Sequence, residues 1–239
     1  MRIPRIYHPG PLREGSAVEL RREAERHLRT VLRLRPGASL SLFDGKGTVH
    51  MAILQERGAL VGERLMVSTE SPLSLHLLQA VSKGERMDLV IQKAVELGVR
   101  EITPVLTERC VVRLKGSRAE KRHRHWREII INACEQCGRN RLPLLHHITP
   151  VEKVLDEPSG GLKLVLDPSA ASSIGALASP RDGEVHLLIG PEGGLSDWEL
   201  DQATLHGFTA VRLGPRILRT ETAALASLSA LQVLWGDLG

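Results

Sequence analysis

The stretch EVHLLIGPEGGLS, residues 184–196, joins a short apolar run to a loop that holds three glycines, a proline and a carboxylate. The run EVHLLI predicts a buried β-strand, and the composition of the loop predicts a turn into a helix. Because glycine has no Cβ, a ligand can approach the backbone N–H groups of such a loop closely, although an ordinary strand-to-helix turn has a similar composition. The stretch therefore indicates an α/β fold with a candidate binding loop.

A second loop of the same kind follows the short strand AVRLG, residues 210–214. In LGPRILRTETAAL, residues 213–225, two arginines flank an apolar pair, and the tripeptide TET opens a helix rich in small residues. We expect Thr220 and Thr222 to cap this helix and Glu221 to interact favourably with its dipole. Ligands of open α/β sheets bind at the carboxyl ends of strands, so both loops are expected to border one site.

The rest of the chain after residue 73 alternates in the same way. Apolar runs predict further strands at residues 75–81, 101–107 and 162–167. Helices are predicted at residues 84–97, 118–137, 194–207 and 220–234. Strands that alternate with helices imply a mainly parallel sheet.

The first 70 residues have a different pattern. Short β-rich runs, a helix predicted near residues 18–34, and turns at Asp44-Gly45 and Arg57-Gly58 indicate a small β-barrel domain. The polar segment STESPLS, residues 68–74, is typical of a linker. We therefore predict two domains, residues 1–70 and residues 73–239.

Composition restricts the class of protein. The 239 residues are 42% hydrophobic and 25% charged, which is the balance of a soluble globular protein. No apolar run reaches the roughly 20 residues that a membrane helix needs, and the N-terminus has no apolar segment typical of a secretory signal. Three cysteines are too few for a disulfide scaffold. We expect a cytoplasmic protein without a membrane partner.

Charge is unevenly distributed along the chain. Residues 109–141 contain ten arginines and lysines against three acidic residues, whereas residues 150–210 contain three against ten. This asymmetry favours a surface that faces a polyanion, although a solvated helix face can carry the same charges.

Several common cofactor motifs are missing from the sequence. There is no G-x-G-x-x-G dinucleotide motif, and no Gly-Lys-Ser/Thr follows the first glycine loop as it would in a P-loop. Cys134 and Cys137 form a C-x-x-C pair, but a zinc site needs about four ligands and no second such pair exists. We therefore predict no metal site.

Four strings together resemble one known family. They are KGERMDLVIQKAVELGV (residues 83–99), ACEQCGRNRLP (133–143), IGPEGGLS (189–196) and LGPRILRTETAAL (213–225). In this order and spacing, the chain resembles the RsmE family of RNA methyltransferases over essentially its whole length. The resemblance implies methylation of N3 of a uridine in 16S ribosomal RNA of the assembled 30S subunit, with S-adenosylmethionine (SAM) as the methyl donor.

The resemblance also implies an architecture. It predicts an N-terminal PUA-like β-barrel that binds RNA, a C-terminal SPOUT domain with a trefoil knot, and a homodimer. Periodicity alone favours an unknotted, doubly wound sheet, because threaded chains are rare. A SPOUT methyltransferase that acts on tRNA or 23S rRNA is the alternative function. A non-catalytic RNA-binding assembly factor fits the two glycine loops less well, and a nicotinamide-dependent oxidoreductase lacks its dinucleotide motif.

By resemblance, the end of the strand at residues 162–167 and the two glycine loops line the cofactor pocket. The predicted SAM-binding residues are Leu166, Asp167, Ile189, Gly190, Pro191, Glu192, Gly193, Leu213, Gly214, Ile217, Leu218, Thr222 and Ala223. The predicted RNA-binding residues are Arg2, Arg5, Arg21, Arg22, Arg29 and Arg33 near the N-terminus, and Arg109, Arg113, Arg122 and Arg124 in the basic stretch.

The chemistry requires a group that stabilises a uracil anion. Uridine N3 is a poor nucleophile while it carries its proton, and fixed donors aimed at the uracil oxygens would stabilise the charge that forms when the proton leaves. Arg219 is the first candidate for this donor and Arg216 the second. Glu221 is a candidate either to accept the N3 proton or to orient Arg219, so the general base stays open. The reaction requires no metal.

Overall fold

A computed structural model of the chain describes residues 3–158 and 160–239. It divides into two compact units, one formed by Met1–Glu70 with Ile131–Leu142 and the other by Ser71–Ile130 with Pro143–Gly239. The first unit therefore includes a segment, residues 131–142, that was predicted to belong to the second domain. Arg2, a predicted RNA-binding residue, lies outside the described residues.

The first unit contains a five-stranded mixed sheet. Its strands are β1 (Arg5–Tyr7), β2 (Ala17–Val18), β3 (Ser39–Phe43), β4 (Val49–Leu54) and β5 (Ala59–Leu65). The order is β1-β3-β4-β5-β2, and only the β1–β3 pair is parallel. Apolar side chains of these strands and of the helical segment form the core, which includes Ile6, Leu28, Leu40, Leu42 and Leu54.

Local residue chemistry explains the turns of this sheet. The Asp44 carboxylate accepts from the backbone N–H groups of Lys46 and Thr48 at 2.8 and 2.9 Å, which closes the turn predicted at Asp44-Gly45. Gly58 has a φ of +69°, and a Cβ there would lie 2.1 Å from the Val18 carbonyl oxygen. A larger residue at this position would therefore disrupt the pairing of β2 with β5.

The helix predicted at residues 18–34 is shorter than expected. It comprises α1 (Arg22–Arg26) and a π-helical turn (His27–Val31), and the residues before it form β2 instead. Val18 pairs with Ala59 in the sheet. Pairing with a distant strand thus overrides the local helical tendency, which a sequence window cannot detect.

Glu70 holds residues 139–141 within the first unit. Its Oε2 accepts from Arg139 Nε at 2.9 Å, and its Oε1 accepts from the backbone N–H groups of Asn140 and Arg141 at 2.9 Å each. Asn140 Nδ2 also donates to the Val67 carbonyl at 2.7 Å. The string ACEQCGRNRLP therefore has a structural explanation, because its last residues bond Glu70 within the predicted linker and Val67 just before it.

The second unit is built on a seven-stranded sheet in which every pair is parallel. Its strands are β6 (Ser74–Ala80), β7 (Glu101–Leu106), β8 (Leu144–Leu145), β9 (Thr149–Pro150), β10 (Leu162–Leu166), β11 (Glu184–Ile189) and β12 (Thr209–Val211). The order is β12-β10-β11-β6-β7-β8, and β9 also pairs with β7. The predicted α/β fold with a mainly parallel sheet is confirmed.

Helices alternate with these strands. They are α2 (Glu85–Glu96), α3 (Gly116–Cys137), α4 (Val151–Asp156), α5 (Asp197–Leu205) and α6 (Thr220–Trp235). α2 packs against α6, and α4 and α5 pack with the strands around a core that includes Leu78, Leu188 and Phe208. Of the helices in the described residues, none is long and apolar enough to cross a membrane.

The start of α5 differs from the prediction, which placed it at Gly194. Ser196 caps the helix, because its Oγ accepts from the Glu199 backbone N–H at 3.4 Å while Glu199 Oε2 accepts from the Ser196 N–H at 2.8 Å. This capping box makes Asp197 the first helical residue. The glycine loop is thereby longer than the sequence pattern predicted.

Candidate functional site

Three neighbouring strands, β12, β10 and β11, end at one edge of the parallel sheet of the second unit. The segments that follow them border a cavity of about 490 Å³. Small-molecule sites typically measure about 300–1,000 Å³, and in open α/β sheets they lie beyond the carboxyl ends of the strands. The cavity lies where the two glycine loops led us to expect a site.

The structure brings most of the predicted SAM-binding residues together around this cavity. Those that line it are Leu166, Asp167, Ile189, Gly190, Pro191, Glu192, Leu213, Gly214, Ile217, Leu218 and Ala223. The two candidate arginines, Arg216 and Arg219, line it as well. The lining also includes residues outside the predicted SAM-binding set, and of these Gly194, Leu195 and Thr220 belong to the two loops expected to border the pocket, whereas Arg86, Pro168, Leu200, Val211 and Arg212 do not.

Gly190 is the position in the first loop where the chain needs a glycine. A Cβ there would lie 3.0 Å from the Leu195 backbone N and 3.2 Å from the Gly194 carbonyl carbon, because the loop folds back on itself. The Gly194 N–H donates to the Pro191 carbonyl at 2.9 Å and closes this turn. Gly190 also lines the cavity, so the residue that lets the loop fold back on itself lies at the site.

Gly193 and Thr222 do not line the cavity among the described residues. A Cβ at Gly193 would instead meet the Arg109 Cβ at 3.3 Å. Arg109 Nη1 donates to the carbonyls of Gly193 and Leu195 at 3.1 Å each. Arg109, which was predicted to bind RNA, thus supports the outer side of the glycine loop.

The start of α6 is fixed by a hydrogen-bond relay rather than by a threonine cap. Thr220 is the first residue of the helix, and its Oγ1 donates to the Gly190 carbonyl at 2.7 Å and accepts from Gln79 Nε2 at 3.0 Å. The predicted capping role of Thr220 was therefore wrong, because its hydroxyl joins α6 to β6 and to the first glycine loop. Glu221 lies in the first turn of the helix, as expected.

Arg86, in the first turn of α2, lies between a carboxylate that lines the cavity, Glu192, and one that does not, Glu221. Its Nη1 donates to Glu192 Oε1 at 2.8 Å, and its Nε lies 4.0 Å from Glu221 Oε1. The Lys83 backbone N–H also donates to Glu192 Oε1, at 3.3 Å. The string KGERMD carries part of the family resemblance, but Arg86 had no predicted role. The signal was present, since this string follows β6, the neighbour of β11.

The two carboxylates differ in burial and in hydrogen bonding. Burial alone would raise the pKa of Glu192, but hydrogen bonds from its own backbone N–H, from Arg86 and from Lys83 lower that pKa below its ordinary value. Glu192 is therefore ionised near neutral pH. Glu221 is the more buried of the two, with a side chain 15% exposed, and its Oε2 has no hydrogen-bond partner among the described residues.

The predicted RNA-binding arginines fall into two groups. Arg5 Nη2 donates to Asn140 Oδ1 at 2.7 Å, and Arg29 Nη2 donates to the carbonyls of Gln55 and Glu56 at 2.8 and 3.0 Å, so both guanidinium groups contribute to the first unit itself. In the same unit the Arg21 guanidinium lies over the Tyr7 ring, 5.8 Å from its centroid. Arg22 and Arg33, by contrast, are exposed.

In the second unit the basic residues also divide. Arg122 Nη1 lies 3.7 Å from Asp88 Oδ1, whereas Arg124 on the same helix is exposed. Arg113 is exposed, and its Nη2 donates to the Glu108 carbonyl at 3.4 Å. Only some of the basic side chains in residues 109–141 are therefore exposed and available to bind RNA.

Cys134 and Cys137 do not form an accessible dithiol. Cys134 is fully buried, and burial raises the pKa of its thiol to about 12. A thiol with this pKa remains protonated near neutral pH, and a protonated thiol is neither a nucleophile nor a metal ligand.

Comparison with known proteins identifies both parts of the chain. Residues 69–232 match the family model described as an RNA methyltransferase domain, and residues 20–60 match that described as an RNA methyltransferase PUA domain. The protein named Ribosomal RNA small subunit methyltransferase E from Buchnera aphidicola subsp. Schizaphis graminum is 38% identical over 99% of this chain and 98% of its own length. The protein of the same name from Mycobacterium bovis is 37% identical over 87% and 83%.

Two solved structures resemble the whole chain. A Ribosomal RNA small subunit methyltransferase E from Neisseria gonorrhoeae, bound to SAM, has a TM-score of 0.93 and 44% identity, with 100% of both chains covered. A protein from Legionella pneumophila, solved in complex with the bound cofactor SAM, has a TM-score of 0.95 and 43% identity, again over 100% of both chains.

Proposed function

This chain belongs to the ribosomal RNA small subunit methyltransferase E family, and from that premise we propose that it methylates N3 of a uridine in 16S ribosomal RNA. It is a SAM-dependent methyltransferase that acts on small-subunit ribosomal RNA. The proposal adds two details to this activity. The methyl group is transferred to N3 of the uridine, and the substrate is the assembled 30S subunit.

One observation carries the assignment of SAM to this chain's own residues, namely that a cavity of about 490 Å³ lies beyond three parallel strands and is lined by both glycine loops. Its lining combines apolar side chains with backbone groups and with the carboxylates of Asp167 and Glu192. A nucleoside that carries a positively charged sulfonium fits this combination, because carboxylates offset the charge and backbone groups recognise the base.

When bound, SAM supplies an electrophilic methyl group attached to sulfur. Backbone groups at Ile189, Gly190 and Gly214 would hold its adenosine part, and Glu192, ionised and bonded by Arg86, would offset its positive charge. Such positioning lowers the barrier of an in-line transfer by holding donor and acceptor in contact.

Arg219 is the proposed donor to the uracil anion. Its side chain is exposed and lines the cavity at the N-terminus of α6, where the helix dipole adds to the positive potential. A guanidinium in this place stabilises the charge that spreads onto the uracil oxygens when N3 loses its proton. Arg216 lines the same cavity and is the second candidate.

Glu221 is the proposed acceptor of the N3 proton. Its Oε2 is buried and has no hydrogen-bond partner among the described residues, while its Oε1 lies 4.0 Å from Arg86 Nε. Glu221 itself does not line the cavity among the described residues, and its contact with Arg86, which does, is what links this carboxylate to the site.

The remaining features are proposed from family membership. They are a homodimer, a trefoil knot in the domain of residues 73–239, a cytoplasmic location, and RNA binding by the domain of residues 1–70. The exposed Arg22, Arg33 and Arg124 are the side chains best placed to bind phosphates, since they are solvent-accessible.

The test is a map of methylated nucleotides, measured by mass spectrometry, in ribosomal RNA and tRNA from cells that lack this protein. We expect the loss of a single N3-methyluridine from 16S rRNA, restored by the wild-type chain but not by Arg219→Ala. Loss of a methyl group from tRNA or 23S rRNA instead would overturn the proposed substrate and leave the methyltransferase activity standing.

A further inference from the structure

A second cluster of functional side chains lies on the same sheet, away from the cavity. His76 is the third residue of β6, Glu101 is the first residue of β7, and His146 follows β8. His76 and Glu101 lie toward the amino-terminal ends of β6 and β7 and His146 lies beside them, whereas the cavity lies beyond the carboxyl ends of β10, β11 and β12. The methyl transfer proposed above uses none of these residues.

Strand register brings the three side chains together. His76 pairs with Glu101 in the β6–β7 ladder, and the His146 backbone N–H donates to the Ile102 carbonyl at 2.9 Å, which places His146 beside the same strands. His146 Nε2 lies 2.8 Å from Glu101 Oε2. One ligand atom from each of the three residues can be chosen so that all lie within 4.8 Å of one another.

We propose that His76, Glu101 and His146 form a binding site for a zinc-class divalent cation. Two imidazoles and one carboxylate are a ligand set of open zinc sites, in which a water molecule or another ligand takes the fourth position. Two imidazole nitrogens on one tetrahedral zinc ion place their ring centroids about 5 Å apart. The ring centroids of His76 and His146 are 5.3 Å apart.

Neighbouring groups hold the His76 ring in an orientation that suits cation binding. The His76 ring is half-buried and stacks on the His146 ring at an interplanar angle of 28°, so the two imidazoles lie side by side next to Glu101. The Thr103 hydroxyl lies 2.8 Å from His76 Nε2 and restricts the orientation of the ring. Supporting contacts of this kind are typical of metal ligands, because they hold the ring ready for the ion.

The cluster is distinct from the cysteine pair on which the prediction of no metal was based. The cluster contains no cysteine. Its members are separated by 25 and 45 residues in sequence, so no short sequence motif indicates the cluster. His76, Glu101 and His146 are all half-buried, so an ion can reach them from solvent.

A cation bound by these three residues would link β8, at the edge of the sheet, to β6 and β7. β8 pairs with β7 through only two residues, Leu144 and Leu145, and His146 immediately follows them. A bond from His146 to an ion shared with β6 and β7 would stabilise this edge. Because binding selects the folded state, stability should increase with metal concentration.

The experiment uses the full-length chain, stripped of metal with a chelator that is then removed. Co²⁺ is titrated while its visible absorption is followed, and Zn²⁺ competition and zinc content give the stoichiometry. We expect one ion per chain and a rise of about 5–10 °C in the unfolding midpoint when Zn²⁺ is at roughly 100 times its dissociation constant.

Two variants test the ligands, and a third provides the control. His146→Gln and Glu101→Gln each replace a zinc ligand with a neutral amide of similar size, which is a much poorer ligand, and each should abolish tight binding and the thermal shift. His147→Gln is the matched control, since His147 stacks on His123 at a centroid distance of 4.7 Å and is the adjacent histidine outside the cluster. It should bind one ion with unchanged affinity.

Three results would overturn the proposal: wild-type chain that binds no ion tightly, equal loss of binding in all three variants, or retained binding in both ligand variants. If a ligand variant fails to fold, crystals of the wild-type chain soaked in Zn²⁺ decide the matter by anomalous diffraction. A peak between the three residues supports the site, and a peak elsewhere or none refutes it. Methylation activity of the metal-free chain is independent of these readouts.

Discussion

Two polar clusters of this molecule contain similar residues and differ in how fully their hydrogen bonds are satisfied. In the first unit, both oxygens of Glu70 are occupied, by the Arg139 guanidinium and by the N–H groups of Asn140 and Arg141. At the cavity of the second unit, Arg86 bonds Glu192 at 2.8 Å but lies 4.0 Å from Glu221. Glu221 Oε2 has no partner among the described residues.

This difference in hydrogen bonding distinguishes a cluster that stabilises the fold from one that can act on a ligand. A buried polar atom without a partner typically costs about 1–3 kcal/mol, so a protein retains one where another molecule supplies the partner or where reactivity is needed. A satisfied cluster such as that of Glu70 holds chain segments in place and leaves no atom free for a ligand. In the sequence the two clusters look alike, because CGRNR (residues 137–141) contributes to the first and KGER (residues 83–86) to the second, and each places a glycine beside charged residues.

The largest expected effect is the loss of the satisfied cluster. Glu70→Ala removes the acceptor for Arg139, Asn140 and Arg141 and leaves the Arg139 side chain, which is 6% exposed, without its carboxylate. Removing one partner of such a buried pair typically costs about 3–5 kcal/mol, measured by urea denaturation. Glu96→Ala is the control, because the Lys93–Glu96 pair is exposed and should cost less than about 1 kcal/mol. Equal effects of the two would contradict a structural role for Glu70.

The next effect concerns catalysis at the unsatisfied cluster. Arg219→Ala should lower the single-turnover rate by about 10²–10³, the usual cost of one preorganised donor, while SAM affinity measured by calorimetry is nearly unchanged. Arg212→Ala is an instructive comparison, because Arg212 Nη1 donates to the carbonyls of Ala170 and Ala171 at 2.6 and 2.8 Å. It should disturb the loop and the affinity instead. A preserved rate in Arg219→Ala would transfer the catalytic role to Arg216 or to Glu221.

A smaller effect is expected from the two glycines of the first loop. Gly190→Val brings a side chain within 3.0 Å of the Leu195 backbone, and overpacking of this kind costs about 1–3 kcal/mol, which should appear as weaker SAM binding. Gly193→Val meets the flexible Arg109 side chain and should weaken binding less. Calorimetry on both variants ranks them. The reverse order would place the cofactor against Gly193, as the family resemblance implied.

The smallest effect is expected on RNA affinity. Arg124→Glu changes an exposed residue and should lower the salt dependence of binding by about 0.7–0.9 in the log–log slope for each phosphate that the protein no longer neutralises. Arg122→Glu breaks an ion pair with Asp88 on α2, so it should act mainly on stability. Filter binding of 30S subunits across a salt series checks the slope. If Arg124→Glu leaves the slope unchanged, this part of α3 is a solvated face.

Local patterns correctly predicted the parts of the molecule that depend on neighbours in sequence. The strands at residues 162–166 and 184–189, the small-residue helix α6 and the two glycine loops were all expected, because apolar runs and glycine act over a few residues. The predicted domain division places residues 131–142 with the second domain, whereas Glu70 ties part of this segment to the first unit. An ion pair across 69 residues has no local signature.

By itself, the sequence determined the alternation of strands and helices and the two loops that border the cavity, since hydrophobic period and glycine conformation are properties of short segments. Only the tertiary structure decided which further polar side chain joins them and which arginines bond the protein itself. Arg86 reaches the cavity because strand order places β6 beside β11, and Arg5, Arg29 and Arg109 bond groups of the protein itself although their charge suggested RNA. The sequence shows which side chains are charged, but only the fold decides whether a charged side chain has a partner within hydrogen-bond distance. A side chain with such a partner stabilises the protein, and one without it can bind a ligand.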